Sequence, residues 1–166
     1  MRWLTIVCIL GFTTQAALAA DLVANPGFEE LDEETGFPAG WEAMYWSNPN
    51  GTIEASDAPR SGERSVMLEG LPREQITDRG KANNHIVAQT IDISGMRRLT
   101  LTVHARTEGA GVAYLSMMTH NADGDRLQYS STQRYEGLED WQPLTWSFTT
   151  NADTERLTLY LRNGGE

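Results

Sequence analysis

The sequence predicts an all-β domain, built as an antiparallel sandwich of two sheets. Three observations carry this: short runs alternate apolar and polar residues, turn-forming residues punctuate them, and past the first twenty residues no stretch shows an amphipathic helix. Leu99, Leu101, Val103 and Ala105 turn one way from their strand while Thr100, Thr102, His104 and Arg106 turn the other. Leu144, Trp146 and Phe148 repeat the scheme, as do Leu157, Leu159 and Leu161, with Thr158, Tyr160 and Arg162 opposite. From Val112 to His120 apolar residues fall on both faces, which predicts a strand covered on both sides.

Taken in order, the chain opens with Arg2, an apolar run from Trp3 to Phe12 and the small residues Ala17-Leu18-Ala19-Ala20. This is the pattern of a secretory signal peptide, too short to span a bilayer, so residues 1–20 are expected to be removed and residues 21–166 secreted, extracellular or periplasmic. Cys8, the one cysteine, would leave with them, and with it any disulfide or thiolate site. The chain carries 13 Lys+Arg against 23 Asp+Glu, a net charge of −10 that becomes one unit more negative without Arg2. Such a body repels nucleic acid and anionic membranes. What is left suffices for one domain with a real core.

Leu22 to Ala24 reads as a short strand ended by Pro26 and Gly27. The polar loop that follows is fenced by Phe28 and Trp41, two aromatic anchors, and its Glu29 and Glu30 stand beside a turn whose carbonyls suit a hard cation. Gly36, Pro38 and Gly40 break the chain before Trp41 opens the next strand. Asn50-Gly51-Thr52 reads as a turn. Asp123-Gly124 reads as a hairpin turn, because the spacing of Asn121, Asp123 and Asp125 lacks the further ligands of an EF-hand loop.

No catalytic residues are assigned. The three histidines, His85, His104 and His120, belong to no metalloprotease, nucleophile-elbow or phosphate-loop motif. A histidine pair on neighbouring strands, His104 with His120, is outweighed by the reading of both as polar residues on a wetted sheet face. The carboxylates cluster in turns such as Leu31 to Glu34, as solvated charge. Sugar binding needs flat aromatic faces flanked by hydrogen-bonding side chains, and those are present. Trp46, Tyr114, Tyr129 and Tyr160 are the aromatic candidates, with Arg162, His104, Arg106, Gln128 and Gln133 as polar ones. Phe28, Trp41 and Trp141 are assigned to structure. If their strands share a sheet, Tyr160, Arg162, His104 and Arg106 form one wet patch, and Tyr160→Ala weakens glycan binding without a large loss of stability.

Asn25-Pro26-Gly27-Phe28-Glu29-Glu30 with Pro38-Ala39-Gly40-Trp41, the Ser56–Ser65 turn leading into Val66-Met67-Leu68, then Gln89–Ile93, Asn121–Gly124, Trp141 and Leu157–Leu161 follow an order that resembles the carbohydrate-binding modules of families 4, 9 and 22. The resemblance covers most of residues 21–166. It implies a galactose-binding-domain-like jelly roll that binds polysaccharide or oligosaccharide without chemistry of its own and targets a covalently attached catalytic domain. It also implies structural calcium, with backbone oxygens from Gly27 and Arg60 and carboxylates from Glu29 and Asp57. The family pattern closes with one further strand, and by that pattern the chain is expected to be truncated before it. The alternatives are a protein-interaction or surface-assembly sandwich and a small jelly-roll polysaccharide lyase or hydrolase.

Overall fold

The computed structural model describes residues 3–9, 22–45, 51–71, 75, 83–109 and 111–165. Eleven strands account for it: β1 (Trp3–Ile9), β2 (Glu42–Tyr45), β3 (Gly51–Ser56), β4 (Ser65–Gly70), β5 (Asn83–Asp92), β6 (Arg98–Thr107), β7 (Val112–His120), β8 (Arg126–Ser131), β9 (Tyr135–Glu136), β10 (Gln142–Thr149) and β11 (Arg156–Gly165). The first sheet runs β10-β6-β1-β4-β3 and the second β2-β5-β11-β7-β8, with β9 also on β7. All pairings are antiparallel. Among the described residues no helix is long and apolar enough to cross a membrane. This is the all-β sandwich that alternation predicts.

The core lies between the sheets. Leu99, Leu101, Val103 and Ala105 of β6 meet Leu157, Leu159 and Leu161 of β11, together with Leu115 and Met117 of β7 and Val66 and Leu68 of β4. Each set comes from alternate positions of its strand, so burying one face leaves the other free for a second role. Asn163 is a buried exception that ties the layers: its Nδ2 donates to the Leu68 carbonyl at 2.9 Å and its Oδ1 accepts the Val112 N–H at 3.3 Å. A buried amide with both ends satisfied fixes the offset of β4 against β11 where an apolar residue would let it slide.

One region differs from expectation. Leu22 to Ala24 is not a strand, because a side chain rather than a neighbouring backbone satisfies it. Gln89 Oε1 accepts the Ala24 N–H at 2.8 Å, and Gln89 Nε2 donates to the carbonyls of Ala24 and Gly40, both at 3.0 Å. An amide side chain offers the same donor and acceptor as a peptide unit, so one glutamine replaces a ladder partner. The apolar run expected to be a leader contributes β1 in the full chain, between β4 and β6.

The loop from Asn25 to Trp41 is held as its composition predicts. Asn25 sits at φ 46°, and its Nδ2 donates to the carbonyls of Glu30 and Ala39 while its Oδ1 accepts the Glu30 N–H. Asparagine is among the few residues at ease in that region. Phe28 and Trp41 are buried with ring centroids 5.0 Å apart. Trp141, assigned to structure with them, is only half-buried at the head of β10, where the Arg106 guanidinium lies 5.7 Å from its ring. Gly124 turns the β7–β8 hairpin at φ 88°.

Candidate functional site

β11 is the central strand of the second sheet, with β5 on one side and β7 on the other. With Leu157, Leu159 and Leu161 in the core, period two sends Thr158, Tyr160, Arg162 and Gly164 to the outer face. Register then fixes their neighbours. Tyr160 lies between Ala88 and Ser116, Arg162 between Ile86 and Tyr114, and Gly164 pairs with Asn84. On the next strand out, Tyr129 pairs with Met118.

Arg162 organises this face. Only 7% exposed, its guanidinium donates to Tyr129 Oη at 3.1 Å, Ser116 Oγ at 3.5 Å and Asn84 Oδ1 at 2.9 Å. Its Cζ lies 5.0 Å from the Tyr114 ring centroid, and Arg134 approaches the same ring at 5.5 Å. A planar fork with fixed donors thus locks one tyrosine by its hydroxyl and another by its π face. Gly164 makes the second contact feasible: a Cβ there would stand 2.7 Å from Tyr114 Cε1, so any larger residue displaces the ring.

Tyr160 is also only 7% exposed, in a small apolar cluster with Ile86, Ala88, Met44 and Met118. It forms the floor of the face, not a freely accessible platform. Desolvation raises the pKa values of the Tyr160 and Tyr114 phenols, an effect that Arg162 partly opposes. Both hydroxyls therefore stay protonated at physiological pH. Tyr129 is 49% exposed, a large aromatic presented to solvent with its hydroxyl anchored.

The structure thus gathers four of the expected sugar-binding residues, Tyr160, Arg162, Tyr114 and Tyr129. It does not bring His104 and Arg106 to them. Both lie on β6 in the other sheet, on its outer face, because their strand pairs with β1 and β10 and not with β11. His104 and His120 are likewise in different sheets. Gln128 is on the opposite side of β8 from Tyr129, Gln133 is exposed between β8 and β9, and Trp46 lies outside the described residues. Asn84, Ser116, Arg134 and Gly164 complete the site unannounced. Period two puts Asn84 with Ile86 and Ala88, on the side of β5 opposite Gln89, and it is the β5–β11 register that places it beside the arginine.

At the N-terminal corner the Glu29 carboxylate reaches the loop that carries Asp57 and Arg60, accepting the Glu63 N–H at 3.1 and 3.2 Å. Gly62 is a cradle for it, since a Cβ there would overlap Glu29 Oε1. Among the described residues no three His, Cys, Asp or Glu side chains gather as a metal cluster, so an ion at this corner would depend on backbone oxygens as well.

No protein family and no curated protein matches the sequence. Solved structures do match the fold. The enzymatically active domain of tailspike protein 4 of bacteriophage CBA120 superimposes with a TM-score of 0.52 at 12% identity over 77% of this chain, which spans 18% of the tailspike chain. TmCBM61, solved in complex with β-1,4-galactotriose, superimposes with a TM-score of 0.51 at 15% identity, over 89% of this chain and 90% of that one. At these identities the likeness is one of fold: the chain shares the β-sandwich of a carbohydrate-binding module.

Proposed function

We propose that the protein is a secreted carbohydrate-binding module that holds an oligosaccharide or polysaccharide against the outer face of the second sheet and targets an attached polysaccharide-active domain, without chemistry of its own. The observation that carries this reading is the pairing of Tyr129 and Tyr114 around Arg162. Tyr129 offers a half-exposed ring whose position is set by the 3.1 Å bond from Arg162, so stacking on the C–H face of a sugar costs little further ordering. The tyrosine hydroxyls and the Asn84 amide supply donors and acceptors for sugar hydroxyls. Fold likeness to a module solved with a β-1,4-linked galactotriose makes that sugar a sensible first ligand in a panel.

Calorimetric titration of a glycan panel with the wild type and Tyr129→Ala tests the reading. The variant should lose binding by roughly five- to tenfold, as expected for a stacking contact worth about 1 kcal/mol or slightly more, while the loss of one Arg162 bond lowers its melting temperature modestly and leaves it folded at the titration temperature. Unchanged affinity in the folded variant removes this face from the proposal.

We also propose a structural calcium ion at the Gly27, Glu29, Asp57 and Arg60 corner, where it would neutralise the carboxylates and fix the loop to the N-terminal turn. The Gly62 cradle around Glu29 supports it. Added calcium should raise the melting temperature and a chelator reverse it, with Glu29→Gln insensitive to both; a melting temperature indifferent to calcium disproves the ion.

A further inference from the structure

The middle of the first sheet is built from a segment remote in sequence from both of its neighbours. β1 pairs with β4 from Trp3↔Glu69 to Ile6↔Val66, and with β6 from Leu4↔Thr107 to Ile9↔Thr102. β4 and β6 do not pair with each other. Both run antiparallel to β1 and so parallel to one another. Without β1 they would stand about 10 Å apart, two strand spacings, each with a row of unpaired backbone groups.

That gap cannot simply close. β4 is held by β3 along Gly51–Ser56 and, through its Leu68 carbonyl, by Asn163 of the opposite sheet. β6 is held by β10 over eight register pairs. Val66 and Leu68 on one side and Leu101, Val103 and Ala105 on the other are packed into the common core. Moving either strand by a full spacing would tear these contacts, and the closed edge would need a parallel ladder in a sheet that has none.

We infer that the β4–β6 gap is a strand-binding groove. Its ligand is an extended, uncharged, apolar polypeptide segment with the chemistry of Trp3–Ile9, running antiparallel to both edges, and β1 is its resident occupant. Trp3-Leu4-Thr5-Ile6-Val7-Cys8-Ile9 carries no charge, contains no proline or glycine and is rich in β-branched residues, which suits an interior strand. Main-chain bonds on two sides supply affinity, as in strand addition at a sheet edge but doubled. Removal of residues 1–20 would leave the groove open to another strand of this chemistry.

The test uses the full chain with a site-specific protease sequence inserted between residues 9 and 21. After nicking, the N-terminal fragment should co-elute with the body on gel filtration and exchange for a synthetic Trp3–Ile9 peptide labelled at Cys8. An Ile6→Pro peptide, lacking a ladder N–H, should compete at least about tenfold less well. In the uncut chain the amides of Thr5 to Cys8 should exchange hydrogen as slowly as those of β6. The groove is disproved by amides that exchange without protection in the uncut chain, by a fragment that leaves without lowering the melting temperature, or by a proline peptide that competes as well as the native one.

Discussion

The two outer faces of the sandwich come from strands with the same alternation, yet they are different surfaces. On the first sheet, Thr100 and Ser147 share a hydroxyl hydrogen bond at 2.9 Å and Thr102 and Thr145 another at 3.2 Å, while Arg106 meets Glu108 at 3.6 Å in solvent. These are short-range pairs between neighbours. On the second sheet, Arg162 reaches Ser116, Tyr129 and Asn84, side chains from three other strands, and Tyr160 is buried beneath. The first face is wet and modular; the second is interlocked. Long side chains with a rigid fork or ring make the difference, since threonine and serine touch only the strand beside them.

The largest break in this contrast should come from Tyr160. Truncation to alanine removes a ring packed against Ile86, Ala88, Met44 and Met118, and should destabilise the fold by about 3 kcal/mol. This reverses the sequence-based expectation that Tyr160→Ala spares stability. Urea denaturation decides it: a midpoint within error of wild type would mean the ring is not part of the packed floor.

What was legible in the sequence follows from the same physics. Alternation in β6 and β10 gives the core residues directly, because each has one wet face, and in β11 it separates Leu157, Leu159 and Leu161 from Tyr160 and Arg162, although these are buried too. It also puts Tyr160 and Arg162 on one outer face, and His104 and Arg106 on another. It cannot say whether two such faces belong to one sheet, since that depends on long-range pairing, and here the pairing separates them. The N-terminal half of β5 was hidden because Asn84 to Ala88 is buried or half-buried on both faces and so does not alternate. Leu22 to Ala24 misleads for another reason: its apolar composition reflects the burial of Val23, while its hydrogen bonds go to Gln89.

The next effect tests interlocking itself. Arg162→Lys keeps a positive charge but not the fork, and a lysine ammonium cannot reach Tyr129 and Asn84 with the same geometry. Loss of buried charge-assisted bonds should cost about 2 kcal/mol. Because Tyr129 is anchored by this group, glycan affinity should fall too, although Tyr129 itself is unchanged. Equal affinity, measured by titration well below the melting temperature, would show that the two tyrosines hold their places without the arginine.

The smallest expected effect belongs to the first face. His104 is half-buried on β6, its pKa lowered from 6.5 chiefly by desolvation and secondarily by the charge of Arg60, and its Nδ1 is buried without a hydrogen-bond partner among the described residues. A lowered folded-state pKa means that the unfolded chain takes up the proton first as pH falls. Stability from this group is therefore complete above 6.5, declines as pH drops toward the folded-state value, and levels off below it. The other titrating groups are common to wild type and variant, so the informative quantity is the difference in melting temperature between wild type and His104→Gln. That difference should shift against the wild type between about pH 7.5 and about pH 5.5, while glycan affinity compared at fixed pH stays equal in the two proteins. A constant difference would mean that His104 is as easily protonated folded as unfolded. A change in affinity at fixed pH would mean that the two outer faces are coupled through the core.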